Sequence, residues 1–352
     1  MTPELLDDGS RDLLRVRGLH TQFLSDRGLV HAVNDVSFSV RRGEALALVG
    51  ESGCGKTATM LSVLRLLPRH RSRVRADEVS FKGRDLLGLD DEGMRRVRGA
   101  EIGMIFQDPR ASLNPVLTIG RQLTESLEVH LRLGRRAARD RAIELLESVG
   151  IPRPASRFDD FPHQFSGGMC QRVMIAIALS CEPSLLIADE PTTALDATIQ
   201  AQILDLVSEL RATREMAMIW ITHDLSVVAS LADRVAVMYG GSIVETAGAR
   251  RLFDAPAHPY TQGLLASLPA LGEEGRGRLT AIPGQPPDMT RLPEGCAFAA
   301  RCPHAFDRCT LERPPLLPAG KGVPLREQRA HSSEKQAVSA EAGARAACWW
   351  DG

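Results

Sequence analysis

Residues 50–57 read GESGCGKT, which fits the spacing G-x-x-x-x-G-K-[ST]. Placed between an apolar strand and a helix, such a loop is suited to hold a polyphosphate. Gly50, Gly53 and Gly55 let the backbone bend until its N–H groups face phosphate oxygens, with Glu51, Ser52 and Cys54 completing the cradle. The N-terminus of the following helix adds a favourable dipole. Lys56 brings a point charge to the β- and γ-phosphates, and Thr57 offers its hydroxyl to Mg²⁺.

LLIADE (185–190) is an apolar run that ends in two carboxylates. At a strand end, Asp189 can hold Mg²⁺ and Glu190 can polarise an attacking water. Taken alone, the pair also fits a solvated acidic turn. Beside a phosphate-binding loop it points to nucleotide hydrolysis.

These residues need a scaffold that brings distant segments to one edge. Strands are predicted at 35–40 (DVSFSV), 44–50 (EALALVG), 101–106, 184–189, 216–222 and 234–241. A helix is predicted from Lys56 to about Leu67, stopped by Pro68, and the stretch 116–182 reads as mostly helical. Strands and helices alternate, which predicts an α/β fold with a largely parallel sheet and covering helices. Twelve of the 21 prolines fall between 251 and 352, so a boundary is expected near 250 with a smaller, loop-rich module after it.

The chain has 352 residues, 43% of them hydrophobic and 25% charged, an ordinary globular composition. A formal net charge of −1 gives no basic field for nucleic acid. No run approaches the roughly 18 to 20 apolar residues that cross a bilayer, and the acidic start MTPELLDDGSRD is unlike a secretory signal. The expected location is therefore the cytosol, with any membrane role exercised through a partner.

At this point the sequence resembles the ABC (ATP-binding cassette) ATPases. FSGGM (165–169) is similar to the family's LSGGQ signature and lies just upstream of the 185–190 strand, as the family order requires. Gln107 in IFQDP matches the Q-loop, ALD (194–196) the D-loop, and His223 in ITHD the switch histidine. Phe23 in LHTQF stands where the family stacks an aromatic on adenine. Phe165 and Met169 depart from the usual Leu and Gln but leave Ser166, Gly167 and Gly168, the expected phosphate contacts, in place.

The resemblance implies a P-loop cassette: a mixed sheet core, an antiparallel β subdomain and a helical subdomain at about 108–182, within a nucleotide-binding domain of residues 1–250. It implies ATP and Mg²⁺ as cofactors, with Gln107 joining Thr57 and Asp189 at the metal. Glu190, His223 and Gln107 are the implied catalytic residues, and Asp196 joins the nucleotide contacts. It also implies that two cassettes close head-to-tail around two ATP molecules, the signature loop of one meeting the P-loop of the other.

The tail narrows the resemblance. AHPYTQGLL (257–265), IPGQPPDM (282–289), LPEGCAFAARCPHAFDRC (292–309) and ACWW (347–350) are similar to the C-terminal extension of dipeptide/oligopeptide importer ATPases, as is IADEPTTALDATIQAQIL (187–204). The implied function is ATP hydrolysis coupled to uptake of di- or oligopeptides. The implied partners are a second homologous ATPase, two integral membrane permease subunits and, indirectly, an extracytoplasmic peptide-binding protein. The location would be the cytoplasmic face of the inner membrane. Nickel, glutathione or oligosaccharide are alternative cargoes. A soluble ABC protein of translation or DNA repair is a further alternative, but its tandem cassettes, coiled-coil arms or basic patches are not visible. His258 and Tyr260 read as residues that pack the linker onto the cassette.

Seven cysteines are present, four of them in the tail. Cys296, Cys302, Cys309 and Cys348 are spaced C-x5-C-x6-C-x38-C, and a Pro-rich module with little apolar core gains from a metal staple. Chemistry alone leaves zinc and iron open. Resemblance to the importer extension tips the expectation to a [4Fe–4S] cluster, with zinc as the alternative.

Overall fold

The computed structural model describes residues 12–26, 28–192, 196–268, 281–319 and 344–350. Among them, strands β1 (Asp12–Ser25), β2 (Gly28–Arg41) and β3 (Ala45–Val49) come first, followed by the short β4 (Ser72–Arg75), β5 (Glu78–Phe81) and β6 (Arg84–Asp85). β7 (Ile102–Ile105), β8 (Leu185–Asp189), β9 (Ala217–Thr222) and β10 (Arg234–Tyr239) follow, then β11 (Ser242–Gly248), β12 (Leu317–Pro318) and β13 (Arg345–Ala346).

The core sheet runs β12-β13-β11-β10-β3-β9-β8-β7. Its β10-β3-β9-β8-β7 part is parallel, and β11, β13 and β12 add antiparallel strands at one edge. Every residue of β3, β8 and β9 is buried, which explains why ALALV, LLIAD and AMIWIT are continuous apolar runs without alternation. The parallel strand ends therefore point their terminal residues, Val49, Asp189 and Thr222, toward one edge. A second, antiparallel sheet forms as β2-β1-β5-β6, with β4 also on β1. The alternation of 35–40 falls inside β2, where Val36, Phe38 and Val40 enter the core.

The helical stretch comprises Ile119–Leu131, Arg135–Ser148 and Gly167–Leu179. Leu123, Leu127, Ala142, Leu146, Val173 and Phe158 share one buried cluster there. Gly120 packs against Phe158, where a Cβ would stand 2.2 Å from the ring.

The helix after the phosphate loop runs Lys56–Val63, shorter than the sequence predicted. Arg65 adopts φ 51°, its N–H bonds the Ser62 carbonyl, and the Leu66 N–H bonds the Leu61 carbonyl. That pair of bonds is the Schellman termination, which satisfies the last carbonyls before Pro68 is reached. It escapes sequence reading because Arg, not Gly, holds the left-handed position.

The Pro-rich tail adds helices Ala249–Asp254 and Pro259–Ala266, then mostly loops. Its end crosses back: Arg345 and Ala346 pair with Thr246 and Glu245 of β11, so the tail extends the core sheet. Two-residue strands carry no periodicity, and nothing in the sequence announced this join. Among the described residues no helix is long and apolar enough to cross a membrane.

Candidate functional site

The glycines of the 50–57 loop are required by close backbone approach. Gly50, at φ 151°, would place a Cβ 2.2 Å from the Met238 carbonyl oxygen, and Gly55, at φ 104°, 2.3 Å from that of Ala32. The loop is thereby seated between β10 and β2, with Gly55 capping the helix Lys56–Val63. Ser52, Gly53 and Thr57 are exposed, whereas Cys54 is buried and its thiol is pushed up by burial.

Lys56 folds back over the loop. Its Nζ donates to the Gly50 carbonyl at 2.8 Å and the Glu51 carbonyl at 3.1 Å, and lies 3.9 Å from Glu190 Oε1. Thr57 Oγ1 donates to Asp189 Oδ1 at 3.0 Å. Asp189 is 2% exposed, and burial raises its carboxyl above the usual range, opposed by the Thr57 bond. A buried carboxylate beside a hydroxyl is a hard oxygen donor set that suits Mg²⁺, and a cation there would relieve the cost of ionising Asp189.

Glu190 follows β8 in a left-handed conformation, φ 45°, and its N–H bonds the Ile221 carbonyl. Gln107 Nε2 donates to Glu190 Oε2 at 3.2 Å, and His223 Nδ1 lies 3.3 Å from the same oxygen. Residues from four segments, 56, 107, 190 and 223, thus meet at one carboxylate beside the phosphate loop.

The remaining sequence candidates sit on separate elements. Ser166 caps the helix Gly167–Leu179, its hydroxyl accepting the Met169 N–H at 3.3 Å, with Gly167 and Gly168 in the first turn. Asp196 caps the helix Ala197–Arg214 through the Ile199 N–H at 3.0 Å. Ala194 and Leu195 lie outside the described residues. Phe23 stands on β1, half-buried, paired with Val30 of β2 and Ser72 of β4. His258 and Tyr260 are both buried, and Tyr260 reaches the phosphate loop, its hydroxyl accepting the Glu51 N–H at 2.8 Å.

The iron–sulfur expectation for Cys296, Cys302, Cys309 and Cys348 is corrected by the structure, and the zinc alternative gains no support. Among the described residues no group of three or more His, Cys, Asp or Glu is placed to hold a metal ion. The four cysteines do line one small apolar space with Phe298, Pro314 and Trp349. Burial pushes the Cys296 and Cys302 thiols up, and that of Cys348 to about 11. Cysteine spacing alone could not distinguish ligation from packing.

Sequence reading missed Arg301. It is 8% exposed and directs both guanidinium arms at Glu51, the second residue of the phosphate loop. Nothing in a single sequence marks this arginine apart from others in the tail.

A phosphate loop entering a helix, an Asp–Thr pair at its floor and a carboxylate hub fed by three other segments define a nucleotide-hydrolysing cassette. Comparisons with known proteins place it further. The ABC transporter family model matches residues 33–193, and that of the oligopeptide/dipeptide transporter C-terminal region matches 244–309. An oligopeptide transport ATP-binding protein of Bacillus subtilis is 52% identical over 305 residues, covering 87% of this chain and 85% of the relative. A dipeptide transport ATP-binding protein of Escherichia coli is 49% identical over 304 residues, covering 86% and 92%. A bacterial ABC transporter cassette solved as a dimer superimposes with a TM-score of 0.61 at 26% identity, covering 67% of this chain and 99% of that one. The chain belongs to the ABC transporter family, among the ATP-binding subunits of the dipeptide/oligopeptide importers, and is an ABC-type ATPase.

Proposed function

We propose that this chain hydrolyses ATP to drive uptake of di- or oligopeptides, and that its residues divide the work as follows. Gly50 to Thr57 cradle the phosphates, with Lys56 at the β- and γ-phosphates. Thr57, Asp189 and Gln107 serve Mg²⁺, and Glu190 accepts a proton from the attacking water while His223 orients it. Phe23 stacks on adenine. Ser166, Gly167, Gly168 and Asp196 act on the nucleotide of a partner cassette.

The observation that carries this reading is the convergence of Lys56, Gln107 and His223 on Glu190, within 3.2 to 3.9 Å. It supports reading Glu190 as the base beside the phosphate cradle, linked to Gln107. Steady-state ATPase and equilibrium ATP affinity in Glu190→Gln and Lys56→Ala test it. The first variant should bind and not turn over; the second should lose binding.

The working unit in this reading is a cassette pair, this chain with a similar but non-identical ATPase, beneath two membrane permease subunits at the cytoplasmic face. An extracytoplasmic peptide-binding protein acts through them. The segment after Gln107 forms the docking face: Asp108 caps the short helix Pro109–Ser112, and Val116 beyond it is 76% exposed. Crosslinking from Asp108 to Asn114 in membranes should label an integral membrane protein. The nucleotide-binding domain ends near residue 250 and the remainder is an accessory extension.

A further inference from the structure

We propose that the C-terminal extension braces the phosphate loop, with Arg301 and Tyr260 acting as positioning residues through Glu51. The proposal rests on the reading of the loop as the ATP site but assigns a new task to the tail, 250 residues away in sequence from the residue it grips.

Arg301 Nη1 donates to Glu51 Oε2 at 2.7 Å and Nη2 to Oε1 at 3.0 Å, the two-armed geometry that fixes a carboxylate in direction as well as distance. The guanidinium is itself held. Its Nε donates to the Pro283 carbonyl at 2.9 Å, Nη1 to the Tyr239 hydroxyl at 3.3 Å and Nη2 to the Ile282 carbonyl at 3.3 Å. Its side chain is 4% exposed against 28% for Glu51, so the arginine belongs to the interior and the carboxylate is what it holds from within. Gly284, at φ 80°, wraps close enough that a Cβ would stand 3.2 Å from the Arg301 side chain.

Tyr260 makes the second attachment. Its hydroxyl accepts the Glu51 backbone N–H at 2.8 Å while its ring packs with Tyr239 and Phe298 at centroid distances of 4.6 and 5.4 Å. Both the main chain and the side chain of Glu51 are therefore anchored to the tail, on a loop whose other end begins the helix at Lys56.

The chemistry gives the brace two consequences. A carboxylate one residue into a phosphate cradle repels the ligand unless it is neutralised, and Arg301 neutralises it. The cradle must also hold its N–H groups in one arrangement before the nucleotide arrives, and anchoring Glu51 removes a freedom that binding would otherwise have to restrict.

Arg301→Gln in the full chain is expected to weaken ATP affinity by about five- to fifty-fold, a typical range for coupling between sites, and to raise KM more than it lowers kcat. Adding Glu51→Gln should recover most of that loss, because an unpaired carboxylate costs more than the absence of both partners. Tyr260→Phe keeps the ring and should weaken affinity in the same direction. A double variant as weak as Arg301→Gln, or wild-type affinity in Arg301→Gln, overturns the proposal. Should Arg301→Gln fail to fold, Tyr260→Phe decides: unchanged ATP affinity rejects the brace and weakened affinity supports it. Lys56→Ala separates the two readings. If it loses ATP while the tail variants keep it, the site stands and the brace falls; if it retains ATP, the reading of the site itself fails.

Discussion

Thr57 and Asp189 are joined by a 3.0 Å hydrogen bond across 132 residues of sequence, tying the start of the helix after the phosphate loop to the end of β8. The bond is possible because β8 reaches the loop through β9 and β3, each pairing in parallel with the next. Burial opposes ionisation of Asp189. A carboxyl with a raised pKa takes up its proton earlier as pH falls, so it loses metal affinity at a higher pH than an unperturbed Asp, whose pKa is about 3.9. Mg²⁺-dependent tightening of ATP binding should therefore fade on acidification while ATP binding without Mg²⁺ changes less. Asp189→Asn should remove the Mg²⁺ dependence at every pH. Titration of ATP affinity with and without Mg²⁺ checks both statements.

Gly55→Ala should damage the loop without touching any polar side chain. The added Cβ meets the Ala32 carbonyl oxygen at 2.3 Å, on a backbone at φ 104° that L side chains rarely adopt. The strain is about 1–3 kcal/mol from conformation alone. Expected outcomes are a lower melting temperature and a lost or much weakened ATP affinity. Gly53→Ala has no such clash, and its effect should come from conformation only.

His258 couples the stability of the tail to pH. Its Nδ1 accepts the Tyr260 N–H at 3.1 Å and so caps the helix Pro259–Ala266, which requires that nitrogen to be unprotonated. Burial lowers its pKa from 6.5 to about 4. The unfolded chain therefore takes up a proton first: the contribution is complete above about pH 6.5 and is lost as pH falls toward 4, amounting to about 3 kcal/mol. Thermal melts should show this slope in the wild type. His258→Asn, which can still accept the cap bond but does not titrate, should flatten it.

The parts of this molecule that were readable in its sequence are those where local pattern and chemistry coincide. The runs ALALV, LLIAD and AMIWIT are apolar because the strands are buried on both faces, and the Gly spacing of 50–57 records the two carbonyls that crowd Gly50 and Gly55. The Gln107–Glu190 and His223–Glu190 contacts were approachable only through family resemblance, since no spacing rule relates residues on different strands. Arg301 and the pairing of Arg345–Ala346 with β11 were beyond reach because each depends on where a Pro-rich loop comes to rest. The cysteines misled for the opposite reason. Their spacing suits ligation, but among the described residues no group of three or more His, Cys, Asp or Glu is placed to hold a metal ion.

The central claim is that Glu190 performs hydrolysis at a site that Lys56 helps to fill. Paired measurement of ATP turnover and ATP affinity in Glu190→Gln is its most direct test. The amide keeps the shape of the side chain and a hydrogen-bonding oxygen for Gln107 but cannot take a proton from water, so turnover should fall about 10²- to 10⁴-fold with affinity preserved. Near-wild-type turnover in that variant would contradict the account.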